Sequence, residues 1–435
     1  MSFLQIPVQD SELLGAPLFT GAVLDAAWSR RCDDIARAAN RLASIGAQDA
    51  LMLLRASFSA PRVQHLLRCS PSINNPALEL FDEHLKSAVG RITNSALSDM
   101  QWLQASLPIK QGGLGVRRVI SLALPAFLAS AASTRILQDQ ILVHCPTSND
   151  GFFELYLSKW SSSFGTPADP LPVKQSYWDR PGLQADSLLI ESSLVEHSQK
   201  AQYMASVAPH SGDWLLALPI SNCGLRLDDE AVRVAVGMRL GLNVCVPHTC
   251  RCGAEVGAQA RHAMSCKKAP GRFARHHVLN DIVWRAMNSA GIPATKEPSG
   301  LSRRDGRRPD GTTLIPWQSG KPLLWDVTVI STLADSYVDL AARESGSAAE
   351  LAADRKSDKY SDFLSNYIFQ PIAVENLGAL NSSAVDFLNE LGRRISFMTG
   401  EHRESVFLFQ RISMAVQRFN SVLLHESFVD DDPDQ

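Results

Sequence analysis

Apolar positions in residues 1–140 recur every three to four residues, with charged side chains between them. In residues 21–45, for example, Trp28, Ile35 and Leu42 alternate with a charged set that includes Arg30 and Asp34. This period predicts amphipathic helices with one buried face. The predicted helices span residues 21–45, 49–57, 77–100 and 122–136. Residues 1–140 are therefore expected to form a mainly helical domain.

A glycine-rich stretch, residues 107–117, lies between two of these helices. It contains Gly112, Gly113 and Gly115 but lacks the Lys-Ser or Lys-Thr that ends a P-loop. We interpret it as a helix-to-helix turn that uses positive φ angles, and not as a nucleotide site. Residues 141–244 are punctuated by prolines and predict a helical linker, with the arginines at 226, 233 and 239 on a solvated face.

In the second half of the chain, the spacing of apolar positions changes. A helix at 271–290 precedes apolar, β-branched runs that predict strands at 292–298, 311–315 and 323–330. A helix at 348–366, a strand at 369–375 and two helices at 384–398 and 402–424 follow. This order predicts an α/β layer with a small mixed sheet.

Two acids occur in the predicted strands. Asp310 opens the strand at 311–315, and Asp326 lies inside the apolar strand at 323–330. A carboxylate in a buried strand is costly unless it has a partner. A divalent cation shared by both acids would supply one, because hard cations favour carboxylate oxygens. A structural salt bridge from Asp326 to a nearby arginine is the alternative.

A cluster of cysteines and histidines lies just upstream. Cys250, Cys252, His262 and Cys266 have spacings that suit a Cys₃His zinc shell, with Cys245 and His248 as reserve ligands. A closed shell of four ligands indicates a structural role for the zinc. Buried free thiols are the alternative, but the interleaved histidines favour metal. The N-terminus has no secretory signal pattern and no stretch predicts a bilayer-spanning helix, so clustered cysteines indicate metal in a reducing compartment.

Positive charge is concentrated between the two candidate sites. The chain has a formal net charge of −3, yet residues 267–308 hold ten basic and three acidic side chains. Such a segment is typical of contacts with a phosphate backbone, although a solvated basic face is the simpler alternative. The candidate nucleic-acid-binding residues are Lys267, Lys268, Arg272, Arg275, Arg303, Arg304, Arg307 and Arg308.

The combination of Arg307-Arg308-Pro309-Asp310, Trp325-Asp326-Val327-Thr328 and the cysteine cluster resembles a known arrangement. It is similar to the PD-(D/E)xK nuclease superfamily, and more narrowly to the C-terminal restriction-like endonuclease of non-LTR retrotransposon reverse transcriptases. The resemblance covers about residues 245–420. Leu13-Leu14-Gly15-Ala16-Pro17-Leu18 also resembles the primer-grip turn of these proteins, and the helices after it resemble their thumb and linker.

This resemblance implies a set of catalytic residues. Asp310 and Asp326 would bind Mg²⁺, and Glu375 would be a further acid or simply a strand-end carboxylate. Thr328 stands where the superfamily has its lysine, so the lysine is expected from the following helix, as Lys359 or, less favoured, Lys356. His276, His277 and Asn280 match the family's helix motif only loosely and are expected to be ordinary helix residues.

The resemblance also implies an organisation and a function. Residues 1–140 would be thumb-like, 141–244 a linker, 245–267 a zinc knuckle, 268–425 the endonuclease and 426–435 an acidic tail. The expected activity is Mg²⁺-dependent DNA cleavage in the nucleus, with DNA as target and element RNA as a further partner. The aromatic-x-Asp-Asp at 428–431 is read as tail, so no polymerase palm is expected and the chain would be a fragment that starts after it. The alternatives are a catalytically inactive nucleic-acid-binding remnant and a helical interaction protein braced by zinc.

Overall fold

The computed structural model describes residues 7–141, 151–301 and 308–428. The chain divides into two compact units. One comprises residues 1–108 and 115–192, and the other comprises residues 109–114 and 193–435. The division falls inside the predicted linker, so the helices of residues 141–244 are shared between the two units.

The first unit is helical in its described residues, apart from one short antiparallel hairpin that contains the predicted primer-grip-like turn. Its elements are β1 (Glu12–Leu13), β2 (Ala16–Pro17), α1 (Ala22–Leu42), α2 (Ala47–Leu53), α3 (Ala60–Cys69), α4 (Ala77–Ile92), α5 (Asp99–Ser106), α6 (Val119–Ile141), α7 (Gly151–Phe164) and α8 (Gln175–Ser193). Helix α3 was not predicted. Pro61 lies in the first turn of α3, where its missing N–H leaves no bond unmade.

Aromatic side chains hold the first unit together. The indole of Trp28 on α1 packs edge-on against Phe81 of α4, with ring centroids 6.3 Å apart, and donates to Ser72 Oγ over 3.0 Å. A second cluster joins Tyr156 and Trp160 of α7 to Trp178 of α8. The amphipathic pattern predicted the buried face of α1, on which Trp28, Ile35 and Leu42 lie.

Helix α6 qualifies the expectation that no segment is long enough to cross a membrane. Within the described residues it is the one helix long and apolar enough to do so by length and composition. Leu128 and Ala129 on this helix are fully buried among the aromatic residues of the first unit. Core helices pass the same test, so there is no clear transmembrane segment.

The glycine-rich stretch is a turn, as predicted. Gly112 and Gly115 have φ angles of +84° and +76°, which L side chains rarely adopt. Residues 109–114 belong to the second unit, where buried Arg239 donates to the carbonyls of Gly113 and Ile109 over 3.0 and 2.7 Å. Burial lowers the pKa of Arg239 to about 9. Arg239 is thus a structural brace, and its assignment to a solvated face was wrong.

The second unit carries both candidate sites. Its helices and strands are α9 (His197–Val207), α10 (Asp213–Leu216), α11 (Asp229–Leu240), β3 (His248–Thr249), β4 (Glu255–Val256), α12 (Arg261–Ser265), α13 (Gly271–Ser289), β5 (Ala294–Lys296), β6 (Gly311–Thr313), β7 (Leu323–Ile330), α14 (Val338–Ala341), α15 (Ser347–Lys359), β8 (Ile368–Glu375), α16 (Ser382–Thr399) and α17 (Glu404–His425). The order from α13 to β8 follows the sequence prediction, although α15 ends earlier than expected.

The four-stranded sheet has the order β5-β6-β7-β8. Strands β5, β6 and β7 are antiparallel neighbours, and β8 pairs with β7 in parallel after the crossover through α15. The parallel register places Asp326 opposite Pro371 and Ile330 opposite Glu375. The sheet is therefore small and mixed, as predicted.

The two faces of β7 meet different helices because side chains alternate along a strand. Trp325 and Val327 point into an apolar core shared with residues of α13, α16 and α17, such as Val283 and Leu391. The other face is covered by α15, whose alanines pack against Ala373. Asp326 lies between Trp325 and Val327, so its carboxylate is directed to the α15 side.

The contact between Gly311 and Trp325 tests this packing. A Cβ at Gly311 would overlap the fully buried indole ring of Trp325. We expect Gly311→Ala to lower the free energy of unfolding by about 1–3 kcal/mol. Urea denaturation measures the change. Gly257→Ala, at a position with no atom within 4 Å of the added Cβ, is the control; equal stability of both variants would contradict the packing.

Candidate active site and metal centre

Asp326 is the most deeply buried acid of the candidate active site, at 3% exposure. Burial raises its pKa, and the neighbouring carboxylate of Asp310 raises it further. Two groups act in the opposite direction: Lys356 of α15 donates to Asp326 Oδ1, and Tyr360 hydrogen-bonds to the same carboxylate. The ion pair with Lys356 supplies the partner that a carboxylate in an apolar strand requires.

Asp310 lies just before β6 and is held from two directions. Its Oδ2 accepts a hydrogen bond of 2.6 Å from the backbone N–H of Val327 and lies 2.9 Å from His276 Nε2. The bond from Val327 fixes the Asp310 carboxylate beside Asp326, one residue away on β7. The hydrogen bond to Asp310 raises the pKa of His276, although burial of the ring opposes this.

A second layer of contacts orients these groups. Asn280 on α13 accepts from the Trp325 indole over 2.8 Å and donates to the Asp310 carbonyl over 3.2 Å. Tyr360, fully buried just after α15, has its hydroxyl 3.0 Å from the Arg308 carbonyl, and its one proton serves either that carbonyl or the Asp326 carboxylate. The segment that carries Asp310 is therefore tied to both α13 and α15.

The lysine assignment changes with the structure. Lys359 was favoured, but its Nζ lies 3.2 Å from the Tyr360 hydroxyl and over the Tyr360 ring. Lys356, one turn earlier, is the lysine that contacts Asp326. Ala349, Ala352 and Ala353 lie on the buried face of α15, and position 356 continues that face because it follows the last two by four and three residues.

Glu375 does not join the acid pair. It lies four residues beyond Pro371, the residue opposite Asp326, which is about 13 Å along the strand. Its buried carboxylate accepts from Thr332 Oγ1 over 2.8 Å and from the Ala349 N–H over 3.1 Å. Burial raises its pKa. Glu375 is thus a structural acid at the start of α15, the simpler of the two interpretations that the sequence left open.

Sequence reasoning undervalued two residues of α13. His276 and Asn280 were expected to be ordinary helix residues, yet both reach Asp310. Their separation of four residues places them on one face of the helix, which was the available signal. His277 is exposed and takes no part in these contacts with Asp310.

The cysteine and histidine cluster is a candidate metal centre. The ligand atoms of Cys250, Cys252, His262 and Cys266 all lie within 4.8 Å of one another. The Cys252 Sγ is 3.1 Å from His262 Nε2, and Cys250 Sγ is 3.8 Å from Cys266 Sγ. Three thiols and one imidazole match the donor set of structural zinc, so these residues could hold such an ion.

The local backbone explains how the tight Cys250-Arg251-Cys252 spacing is accommodated. The short hairpin of β3 and β4 encloses it, and Gly253 turns the chain with a φ angle of +92°. A backbone hydrogen bond from Ala254 lowers the pKa of Cys252 to about 7, whereas burial raises the pKa of Cys250 to about 11.

The two reserve ligands lie outside this group of four. Cys245 Sγ is 3.5 Å from the Gly257 carbonyl. His248 contacts Ser427 Oγ over 2.8 Å and stacks on Phe428, with ring centroids 3.9 Å apart. His248 therefore fastens the knuckle to the end of α17.

The candidate phosphate-binding residues divide into four groups. Lys267 and Lys268 are exposed and Arg272 is half-buried. Arg308 is exposed but paired with Glu297. Arg275 is 2% exposed, so its assignment to a binding surface was wrong. Burial lowers its pKa to about 10, with a smaller contribution from the charge of Arg272. The remaining three, Arg303, Arg304 and Arg307, lie outside the described residues.

Comparisons with protein families and with curated proteins find no match to this chain.

The pairing of His276 with Asp310 predicts a pH-dependent contribution to stability. A raised folded-state pKa means that the contribution is complete below the unfolded value of about 6.5 and is lost as pH rises through the folded value. We expect His276→Gln to destabilise the protein more at pH 5.5 than at pH 8.5 in urea denaturation. The exposed neighbour His277→Gln is the control. A pH-independent difference for His276→Gln would contradict the ion pair.

The metal centre predicts one tightly bound zinc ion per chain. Cys266→Ser should remove stoichiometric zinc and lower the melting temperature by several degrees, because binding of the ion stabilises the folded state. Elemental analysis and thermal denaturation measure these two effects. Cys245→Ser should leave both unchanged; zinc loss in this variant as well would assign the shell to different thiols.

Proposed function

We propose that this protein is a metal-dependent DNA endonuclease of the kind encoded by non-LTR retrotransposons. The observation that supports it most is the convergence of Asp310, Asp326 and Lys356, in which Asp326 contacts Lys356 and lies beside Asp310. Two acids and one lysine brought together in this way match the requirements of phosphodiester hydrolysis. The retrotransposon origin, a nuclear location and an RNA partner rest on the motif resemblance alone.

The acid pair fits a divalent cation by its donor chemistry. Asp310 and Asp326 present carboxylate oxygens, the ligands that Mg²⁺ prefers, and each acid raises the electrostatic cost of the other. Both hydrogen bonds to the Asp310 side chain fall on Oδ2. A Mg²⁺ ion held by these two residues would polarise the scissile phosphate and acidify a bound water.

The protein's own groups would then position substrate and protons. The Lys356 side chain is 24% exposed, and its Nζ contacts Asp326. There it would orient the attacking water or stabilise charge on the phosphate oxygens. His276 holds the Asp310 carboxylate in place through its hydrogen bond to Oδ2. Lys267, Lys268 and Arg272 would contact neighbouring phosphates.

A catalytically inactive nucleic-acid-binding module is the second candidate. The observation that favours it is that each acid already has a basic partner, Lys356 for Asp326 and His276 for Asp310. These pairs satisfy the carboxylates without a cation. This is the salt-bridge alternative for Asp326, with a lysine in place of the arginine that the sequence suggested.

Nicking of supercoiled plasmid separates the two candidates. The wild-type protein should nick with Mg²⁺ and not with EDTA, and Asp326→Ala should reduce the rate by at least about 100-fold. Lys356→Ala should cause a loss of about 10²- to 10⁴-fold, and Lys359→Ala a much smaller one. The Lys359 variant is a matched control, because it removes the same charge one turn away.

Two results would overturn the nuclease: no nicking by the wild type, or equal nicking by Asp326→Ala. Activity that depends on Lys359 and not on Lys356 would reject only the assignment of Lys356. Binding of DNA in a gel shift without nicking would instead support the binding module.

A further inference from the structure

The exposed side of α13 carries a large aromatic side chain close to the candidate active site. Phe273 is 71% exposed and lies one helical turn before His276, which contacts Asp310 over 2.9 Å. Residues three and four apart on a helix are neighbours on its surface. Phe273 is therefore adjacent to both His276 and the exposed ring of His277.

The side chains around Phe273 are mainly basic, although the carboxylate of Glu426 accepts a hydrogen bond of 2.8 Å from the Gly271 N–H at the start of α13. Exposed Lys267 and Lys268 precede α13, and Arg272 is its neighbour in sequence. The acid of α13, Asp281, lies two turns further along and is paired with Arg285 and Lys296 over 2.6 and 3.0 Å. An aromatic ring in a basic surface suits the binding of a nucleic-acid strand, because its phosphates bind to the cations and its bases stack on the ring.

Exposure of an aromatic ring is not by itself informative, as Phe397 shows. That residue is 88% exposed on α16, among residues that make none of the contacts of the acid pair. Phe273 differs in its position, one helical turn from His276, which hydrogen-bonds to Asp310. The charged side chains that precede it on and before α13 are also basic. Base pairs in an intact duplex hide their faces in the stack, so a single ring can engage only an unpaired or displaced base.

We propose that Phe273 stacks on an unpaired nucleobase next to the phosphodiester held at Asp310 and Asp326. The substrate class is then DNA with an unpaired or extruded nucleotide beside the cut, and not uniformly paired duplex. Lys267 and Lys268 bind the flanking phosphates, while Phe273 distinguishes an unpaired base from a paired one by stacking on it. This inference rests on the proposed function for the position of the scissile phosphate.

The test uses two oligonucleotide duplexes of one sequence, one fully paired and one with a single bulged 2-aminopurine. The full chain carries Asp326→Asn so that binding is measured without cleavage. Phe273→Ala should weaken binding of the bulged duplex by about 5- to 150-fold in fluorescence anisotropy, with little change for the paired duplex. It should also abolish the quenching of 2-aminopurine, and Phe273→Trp should retain both.

Two controls make the result specific. Phe397→Ala removes an equally large exposed ring and should change neither affinity. Lys267→Ala with Lys268→Ala should weaken both duplexes alike, because phosphate contacts carry no information about pairing. Equal loss on both duplexes for Phe273→Ala, or no loss on either, would overturn the stacking role.

The plasmid assay separates this inference from the proposed function. Nicking by the wild type together with an unselective Phe273→Ala would reject only the stacking residue. Selective loss of bulge binding in a protein that does not nick would reject the nuclease and leave Phe273 as the base-contacting residue of a binding module.

Discussion

The arrangement of helix α15 and strand β7 in the second unit depends on one buried carboxylate. Asp326 lies between Trp325 and Val327 on a central strand, at 3% exposure, where an unpaired negative charge would cost several kcal/mol. Alternation along β7 sends its neighbours into the apolar core and sends Asp326 to the opposite face. Helix α15 must therefore present a cation there, and it does so with Lys356. The parallel crossover from β7 to β8 is what places α15 on that face.

The same constraint links the two candidate functions. Lys356 pairs with Asp326 in both candidates, and the nuclease proposal adds a cation between the acids and a role for the lysine in hydrolysis. Burial and, after it, the proximity of Asp310 raise the pKa of Asp326, so its negative charge is disfavoured at this position. A cation between the acids would relieve the repulsion between them, and this is one reason for proposing a metal-dependent enzyme.

Two structural devices support this site from outside. The hydrogen bonds of Asn280 to Trp325 and to the Asp310 carbonyl connect α13 with both acid-bearing strands. The cysteine cluster folds a short hairpin against the end of α17, through His248 and Phe428, just before α13 begins. A metal in that cluster would brace the start of the helix that carries His276 and Phe273.

Periodicity and spacing were enough to predict helices α1, α4 and α6 of the first unit, the strand–helix order around Asp310 and Asp326, and the four residues of the cysteine cluster. These features depend on local pattern, which sequence carries directly. The identity of the lysine, the structural role of Glu375, the burial of Arg275 and the contact of His276 with Asp310 depended on tertiary structure. Each is decided by which face of a helix or strand meets its neighbour, and by where a helix such as α15 ends. A shift of one turn exchanges Lys359 for Lys356, and only packing against β7 selects between them.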